Sequence, residues 1–202
     1  MKIPESIESI INEFIKFPGI GHKTAERLAF YLIFQPEEFT TEFIKNIEFY
    51  RKQIKYCSIC GNIDDTDPCS ICSSNHRDNY TICVVETPRD LFAIENANIY
   101  NGLYHVLGGA ISPIDGITPE KLNFDKLLKR IKPPVNEIII ATNSNIPGEM
   151  TALYIKKLLA EYDIKITRIA KGIPFGSDLE YSDKITISNA FTGRTEIKNE
   201  PS

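Results

Sequence analysis

Four cysteines stand as two Cys-x-x-Cys pairs, Cys57 with Cys60 and Cys69 with Cys72, and eight residues separate the pairs. A Cys-x-x-Cys turn aims two thiolates at one point, and two such turns complete the tetrahedral shell that Zn²⁺ prefers. Gly61, directly after the first pair, suits the tight turn of a metal knuckle. Two disulfides would use the same residues. The sequence opens without a secretory signal, however, and Cys83 would be left over, so a reducing compartment and a metal are expected. A redox pair would come once, at a helix start after a strand. Four protein thiolates leave no open position for water or substrate, so the expectation is one structural Zn²⁺. It would stand in for the core that a segment poor in large apolar side chains lacks.

The elements around the cysteines carry a second chemistry. Ile7, Ile10, Ile11, Phe14 and Ile15 recur at helical spacing and end at Phe17-Pro18-Gly19-Ile20-Gly21, after which a new helix starts near His22. Helix, Pro-Gly-Ile-Gly turn, helix is the helix-hairpin-helix pattern. Glycines let the backbone approach an anion, and free N–H groups at the new helix start face it. Lys23 and Arg27, four apart, share a face beside that turn and are expected to flank a DNA phosphate backbone. His22 reads as a surface or capping residue. Phe39, Phe43, Ile44 and Ile47 stripe a third helix, as core or as a subunit contact. Arg51, Lys52 and Lys55 are either solvated charges at the helix end or a second phosphate-facing patch.

Beyond Tyr80 the period changes. Thr81–Val85, Leu103–Leu107, Glu137–Ala141 and Ile164–Ile169 read as strands, with helices from Thr87 to about Asn96, from Thr118 to Ile131, and from about Glu149 to Glu161. Such alternation implies a mostly parallel sheet with helices on its faces. Ligands then gather at the strands' C-terminal ends, where Glu86, Gly108-Gly109, Asn143 and Glu149 stand. Cys83 and His105, inside strands, read as core residues.

The whole chain, from Pro4 to about Glu196, resembles the RecR family of bacterial recombination mediators. The resemblance rests on Phe17-Pro18-Gly19-Ile20-Gly21-His22-Lys23-Thr24-Ala25, the four cysteines, Val84-Val85-Glu86, and Gly102-Leu103-Tyr104-His105-Val106-Leu107-Gly108-Gly109. It continues through Pro113-Ile114-Asp115-Gly116-Ile117, Ala141-Thr142-Asn143 with Gly148-Glu149, and Gly176-Ser177-Asp178-Leu179-Glu180-Tyr181. It implies an α+β multi-domain chain: a helix-hairpin-helix domain (1–55), a four-cysteine zinc knuckle (56–76), a Toprim α/β domain (79–175), and a C-terminal strand/helix tail (176–202). It further implies a ring-shaped homo-tetramer that encircles DNA and works with RecO and RecF to load RecA on single-stranded DNA at gaps. Lys23 and Arg27 would carry the DNA contact, and Glu86 and Glu149 would contact RecO. Pro147 stands where the family usually has another Glu, which thins the acidic cluster.

Charge and composition set outer limits. Apolar residues make up 42% and charged residues 25% of the 202, ordinary globular values. No apolar run is long enough to span a membrane, so a soluble, intracellular protein is expected, and the resemblance implies a cytoplasmic, nucleoid-associated bacterial one. A formal charge of −4 argues against an all-over polyanion surface, so nucleic-acid contact must be local. The competing reading is a Toprim-type Mg²⁺-dependent phosphoryl-transfer enzyme. That chemistry needs a Glu with an Asp-x-Asp pair, and Thr142-Asn143-Ser144 stands where the aspartates would be, so no catalytic residues are expected.

Overall fold

Apolar residues at helical spacing build the three expected N-terminal helices: α1 (Glu5–Ile15), α2 (His22–Ile33) and α3 (Glu37–Gln53). The computed structural model describes residues 3–196 and divides into two units, Met1–Ile54 and Lys55–Ser202. In the first unit α1 packs on α2 through Ile11, Ala25 and Ala29, all fully buried, with Ile7, Ile10, Phe14 and Ile20 around them. Two alanines one turn apart clear a stripe on α2, so the backbones can approach closely over Ile11. Gly19 holds φ at +80°, which makes glycine a requirement of the turn. No residue of α3 is buried. Phe43, Ile44 and Ile47 are each about half exposed, so of the two readings of that stripe the core one is excluded.

The second unit opens with short antiparallel strands β1 (Lys55–Tyr56) and β2 (Ile63–Asp64), then a helical turn α4 (Ser70–Ser73). It continues as β3 (Asp78–Val85), α5 (Pro88–Asn96), β4 (Gly102–Val106), α6 (Phe124–Leu128), β5 (Glu137–Ile140), α7 (Ile146–Leu158), β6 (Lys165–Arg168) and α8 (Lys184–Thr192). The sheet runs β4-β3-β5-β6 with every pair parallel, as the alternating pattern predicts. Thr87 and Asp90 close a reciprocal capping box that starts α5.

Side-chain alternation gives β3 two buried faces. Ile82 and Val84 join a core with Leu107, Leu127, Ile138, Ile140 and Ile155, beneath α6 and α7. Cys83 and Val85 join the opposite core, where Tyr104, Val106 and Leu91 meet Cys57, Cys60, Cys69 and Ile71. The zinc knuckle therefore covers one face of the sheet beside α5.

Two expectations need correction. The helix expected from Thr118 to Ile131 is a 3-10 turn at Pro119–Lys121 followed by the short α6. Asn123 breaks it: its N–H donates to Leu107 O at 2.9 Å, its Nδ2 to Val106 O at 3.1 Å, and its carbonyl accepts from His105. These tertiary bonds outcompete the helical ladder. The tail beyond residue 176 holds a 3-10 turn at Leu179–Tyr181 and α8, and no strand among its described residues.

His105 is fully buried, and its tautomer follows from its partners. Asn123 O can only accept, so Nε2, 2.9 Å away, donates; the Arg130 guanidinium can only donate, so Nδ1, at 3.3 Å, accepts. Burial, reinforced by the Arg130 charge, pushes the ring's pKa down to about 4. The native state thus holds His105 neutral, while the unfolded chain takes up a proton near pH 6.5. Its contribution to stability is complete above about pH 6.5 and is lost as pH falls toward 4, in total roughly 3 kcal/mol. Urea unfolding of wild type and His105→Gln across that window measures it, since the difference between the two removes the acid response of the cysteines. A difference that stays flat with pH would contradict this account.

Candidate metal centre and nucleic-acid interface

The four sulfur atoms of Cys57, Cys60, Cys69 and Cys72 lie within 4.8 Å of one another, three of the residues buried and Cys72 half-buried. A tetrahedron with Zn–S bonds of about 2.3 Å has edges of about 3.8 Å, and the Cys60 and Cys69 sulfurs stand 3.6 Å apart. Backbone amides already point at the sulfurs: Asn62 N–H faces Cys60 Sγ at 3.5 Å and Cys69 N–H faces Cys57 Sγ at 3.4 Å. Gly61 turns the first knuckle with φ +77°, and a Cβ there would lie 2.8 Å from Val106 O. Val106 N–H in turn donates to Cys60 O at 2.7 Å, tying the knuckle to β4.

Cys60, Cys69 and Cys72 set one another's proton affinities. Cys69 is held down at about 2 because it accepts hydrogen bonds from Cys60 and Cys72. Cys60 is pushed up to about 12, first by donating to Cys69 and then by burial, and Cys72 is raised for the same reasons. A divalent cation removes that conflict by making four adjacent thiolates compatible. The site fits one structural Zn²⁺. Cys83, in the same core, is an ordinary buried thiol raised to about 12 by desolvation.

At the C-terminal edge of the sheet the two expected glutamates part company. Glu86 is only 6% exposed. Its Oε1 accepts from Asn143 N–H and its Oε2 from Asn143 Nδ2, both at 2.7 Å. Gly148 closes over this pair, since a Cβ there would lie 2.0 Å from Asn143 O and 2.8 Å from Glu86 Oε1. Glu86 is a buried brace between β3 and the loop after β5, with both carboxylate oxygens held by Asn143. Glu149 remains two-fifths exposed in its side chain, but Arg168 grips it through both η nitrogens at 2.8 and 2.7 Å and Lys171 adds a second ion pair. The Arg168 guanidinium, with Lys171, holds that carboxyl below its ordinary range. Asn145 caps α7, and Pro147 sits in its first turn, where a missing N–H costs nothing.

Arg168 and Lys171 were absent from the sequence-based candidates. The available signal was a cation at the end of the last strand, on the very edge where the acids were expected. Thr142 donates to Gly148 O and Asn143 to Glu86, so two of the three residues that stand where an Asp-x-Asp would be are donors bound to protein. Among the described residues, the four cysteines form the one group of three or more side chains able to hold a metal.

Lys23 and Arg27 are exposed on α2, along a shallow groove that they share with Thr24, Glu26 and Phe30. Neither is in an ion pair with any described residue. Gly21 caps α2 with no side-chain hydrogen bond, and while Thr24 N–H donates to Gly21 O, the His22 and Lys23 N–H groups have no backbone partner among the described residues. No helix among the described residues is long and apolar enough to cross a membrane.

A Toprim-domain family model matches residues 80–170, which contain the parallel sheet. A Toprim domain preceded by a helical hairpin and a four-cysteine centre defines a class of DNA-directed proteins. Three further family models match the rest: RecR helix-hairpin-helix over residues 7–48, RecR four-cysteine zinc finger over 54–74, and RecR C-terminal over 172–195. The chain belongs to the RecR family, whose role lies in recombination and DNA repair and is generally that of a non-catalytic mediator.

Proposed function

We propose that this chain is a non-catalytic, oligomeric DNA clamp that works with RecO and RecF to load RecA on single-stranded DNA at gaps. It would act in the bacterial cytoplasm, at the nucleoid, with its work divided among segments 1–55, 56–76, 79–175 and 176–202. The carrying observation is the turn before α2. Gly19 needs glycine for its φ of +80°, whereas Gly21 has φ −84° and no atom within 4 Å of where a Cβ would be. The space in front of Gly21 is open, so a group can approach the start of α2 closely. Unpartnered N–H groups flanked by Lys23 and Arg27 suit a phosphate backbone, read without regard to sequence.

Two separate exposed apolar surfaces support self-association. One is α3 with Phe43, Ile44, Ile47 and Tyr50; the other is the C-terminal segment with Phe175, Tyr181, Ile185 and Phe191. One isologous interface makes a dimer, and two different ones close a four-membered ring. The RecO contact belongs at Glu149, the edge carboxylate that reaches solvent. Light scattering of the pure protein, alone and with single-stranded oligonucleotides and RecO, tests the reading. The expected masses are four chains alone and heavier complexes with each addition. A mass of one chain that neither DNA nor RecO increases would overturn it.

A further inference from the structure

We propose that the groove beside the zinc knuckle, rimmed by Lys129 and Lys132, is a second contact surface for the phosphate backbone of DNA. This rests on the DNA-binding reading and adds a site on the Toprim unit, distant in sequence from the hairpin. Residues 121–132 read Lys-Leu-Asn-Phe-Asp-Lys-Leu-Leu-Lys-Arg-Ile-Lys: five cations against one carboxylate, on a chain whose net charge is −4. Lys126, Lys129 and Lys132 are exposed, and none is in an ion pair with any described residue. Lys129 and Lys132 follow the end of α6 at Leu128, so three like charges stand within seven residues and repel one another, while Glu95 and Glu137 are paired with Arg77 and Lys165.

The segment is also held in place. Arg130 donates to Tyr104 O and to His105 Nδ1, fixing it on β4 while the flanking lysines stay free. The groove they rim has an apolar floor, with Leu103, Pro133 and Val135 on one side and Ile59, from the tip of the first knuckle, on the other. Ammonium groups around an apolar floor match a polymer that carries its charge on the backbone and flat apolar faces on its bases. Lysine suits such a surface because it meets phosphate as a point charge and imposes no sequence.

The test is the triple variant Lys126→Ala/Lys129→Ala/Lys132→Ala, titrated by fluorescence anisotropy against single-stranded oligonucleotides of unrelated sequence over a range of salt. Three lost phosphate contacts should lower the slope of log K against log salt by about 2, with affinity falling roughly tenfold or more at low salt. Zinc content and melting temperature should stay at the wild-type values. The triple arginine variant should restore binding. Wild-type slope and affinity in the alanine variant, alongside lost binding in Lys23→Ala/Arg27→Ala, would overturn the groove and leave the hairpin reading standing. Loss of RecO binding with DNA binding intact would assign the groove to an acidic protein surface, and so overturn it too. A wild-type protein that binds no DNA at low salt would overturn both readings.

Discussion

Cys60→Ala is expected to leave the chain without zinc and to unfold residues 55–202 as a unit. Three thiolates remain in that variant and leave the tetrahedral shell incomplete. The centre is no appendage. Cys57, Cys60 and Cys69 share a core with Val85, Leu91, Tyr104 and Ala141, so the metal anchors the cover of one whole sheet face. Structural zinc sites in small peptides are worth about 10–16 kcal/mol, against a total stability of about 5–15 kcal/mol for a typical domain. Losing the metal therefore removes an amount comparable with the whole reserve of a typical domain. Zinc stoichiometry by atomic absorption and near-ultraviolet circular dichroism check this together, since Tyr100 and Tyr104 pack edge-to-face in that core. Cys83→Ala is the control: a buried thiol outside the shell, it should keep its zinc and lose only about 1–2 kcal/mol. A Cys60→Ala protein that melts like wild type without zinc would refute the structural role.

What the residues revealed in advance depended on whether the deciding interactions were local. The two Cys-x-x-Cys turns, the helix start at Thr87 and the β-branched runs at 81–85 and 137–140 each carry their cause within a few positions, and each is found where expected. The break at Asn123 is not local, because its partners Val106 and Leu107 lie on a strand that the sequence places earlier. Glu86 shows the same limit at the candidate site. An acid at the end of a strand reads as a ligand-facing group, and only Asn143, 57 positions away, turns it into a buried brace. The signal for Arg168 and Lys171, cations at and just past the end of the last strand, gains its meaning only once the fold brings Glu149 to them. The cysteines, read as standing in for a core that their segment lacks, acquire a wider task within the second unit, covering the sheet.

Lys23→Ala/Arg27→Ala is expected to lose DNA binding while leaving zinc content and melting unchanged. Both side chains are exposed, hydrogen-bond no described residue and lie on the outer face of α2, so their removal costs the fold nothing the structure displays. Their charges flank the uncapped N–H groups of α2, where an anion also meets the positive end of the helix. Two lost phosphate contacts per chain should lower the salt slope by about 1.4 on single strands. In a ring the loss recurs in every copy, so affinity should fall roughly a hundredfold or more as simultaneous engagement fails. Anisotropy titrations at two salt concentrations read both quantities. Gly21→Ala separates the backbone contribution from the side chains. Its methyl meets no protein atom within 4 Å and its φ is ordinary, so the fold should be indifferent. The same methyl stands where a phosphate would approach the N–H groups, and DNA affinity should drop. Gly19→Ala, at φ +80°, should do the reverse, costing about 1 kcal/mol or more of stability through strain in the turn. If Gly21→Ala and Lys23→Ala/Arg27→Ala both bind DNA as wild type does, the hairpin is a packing motif and the contact lies elsewhere on the chain.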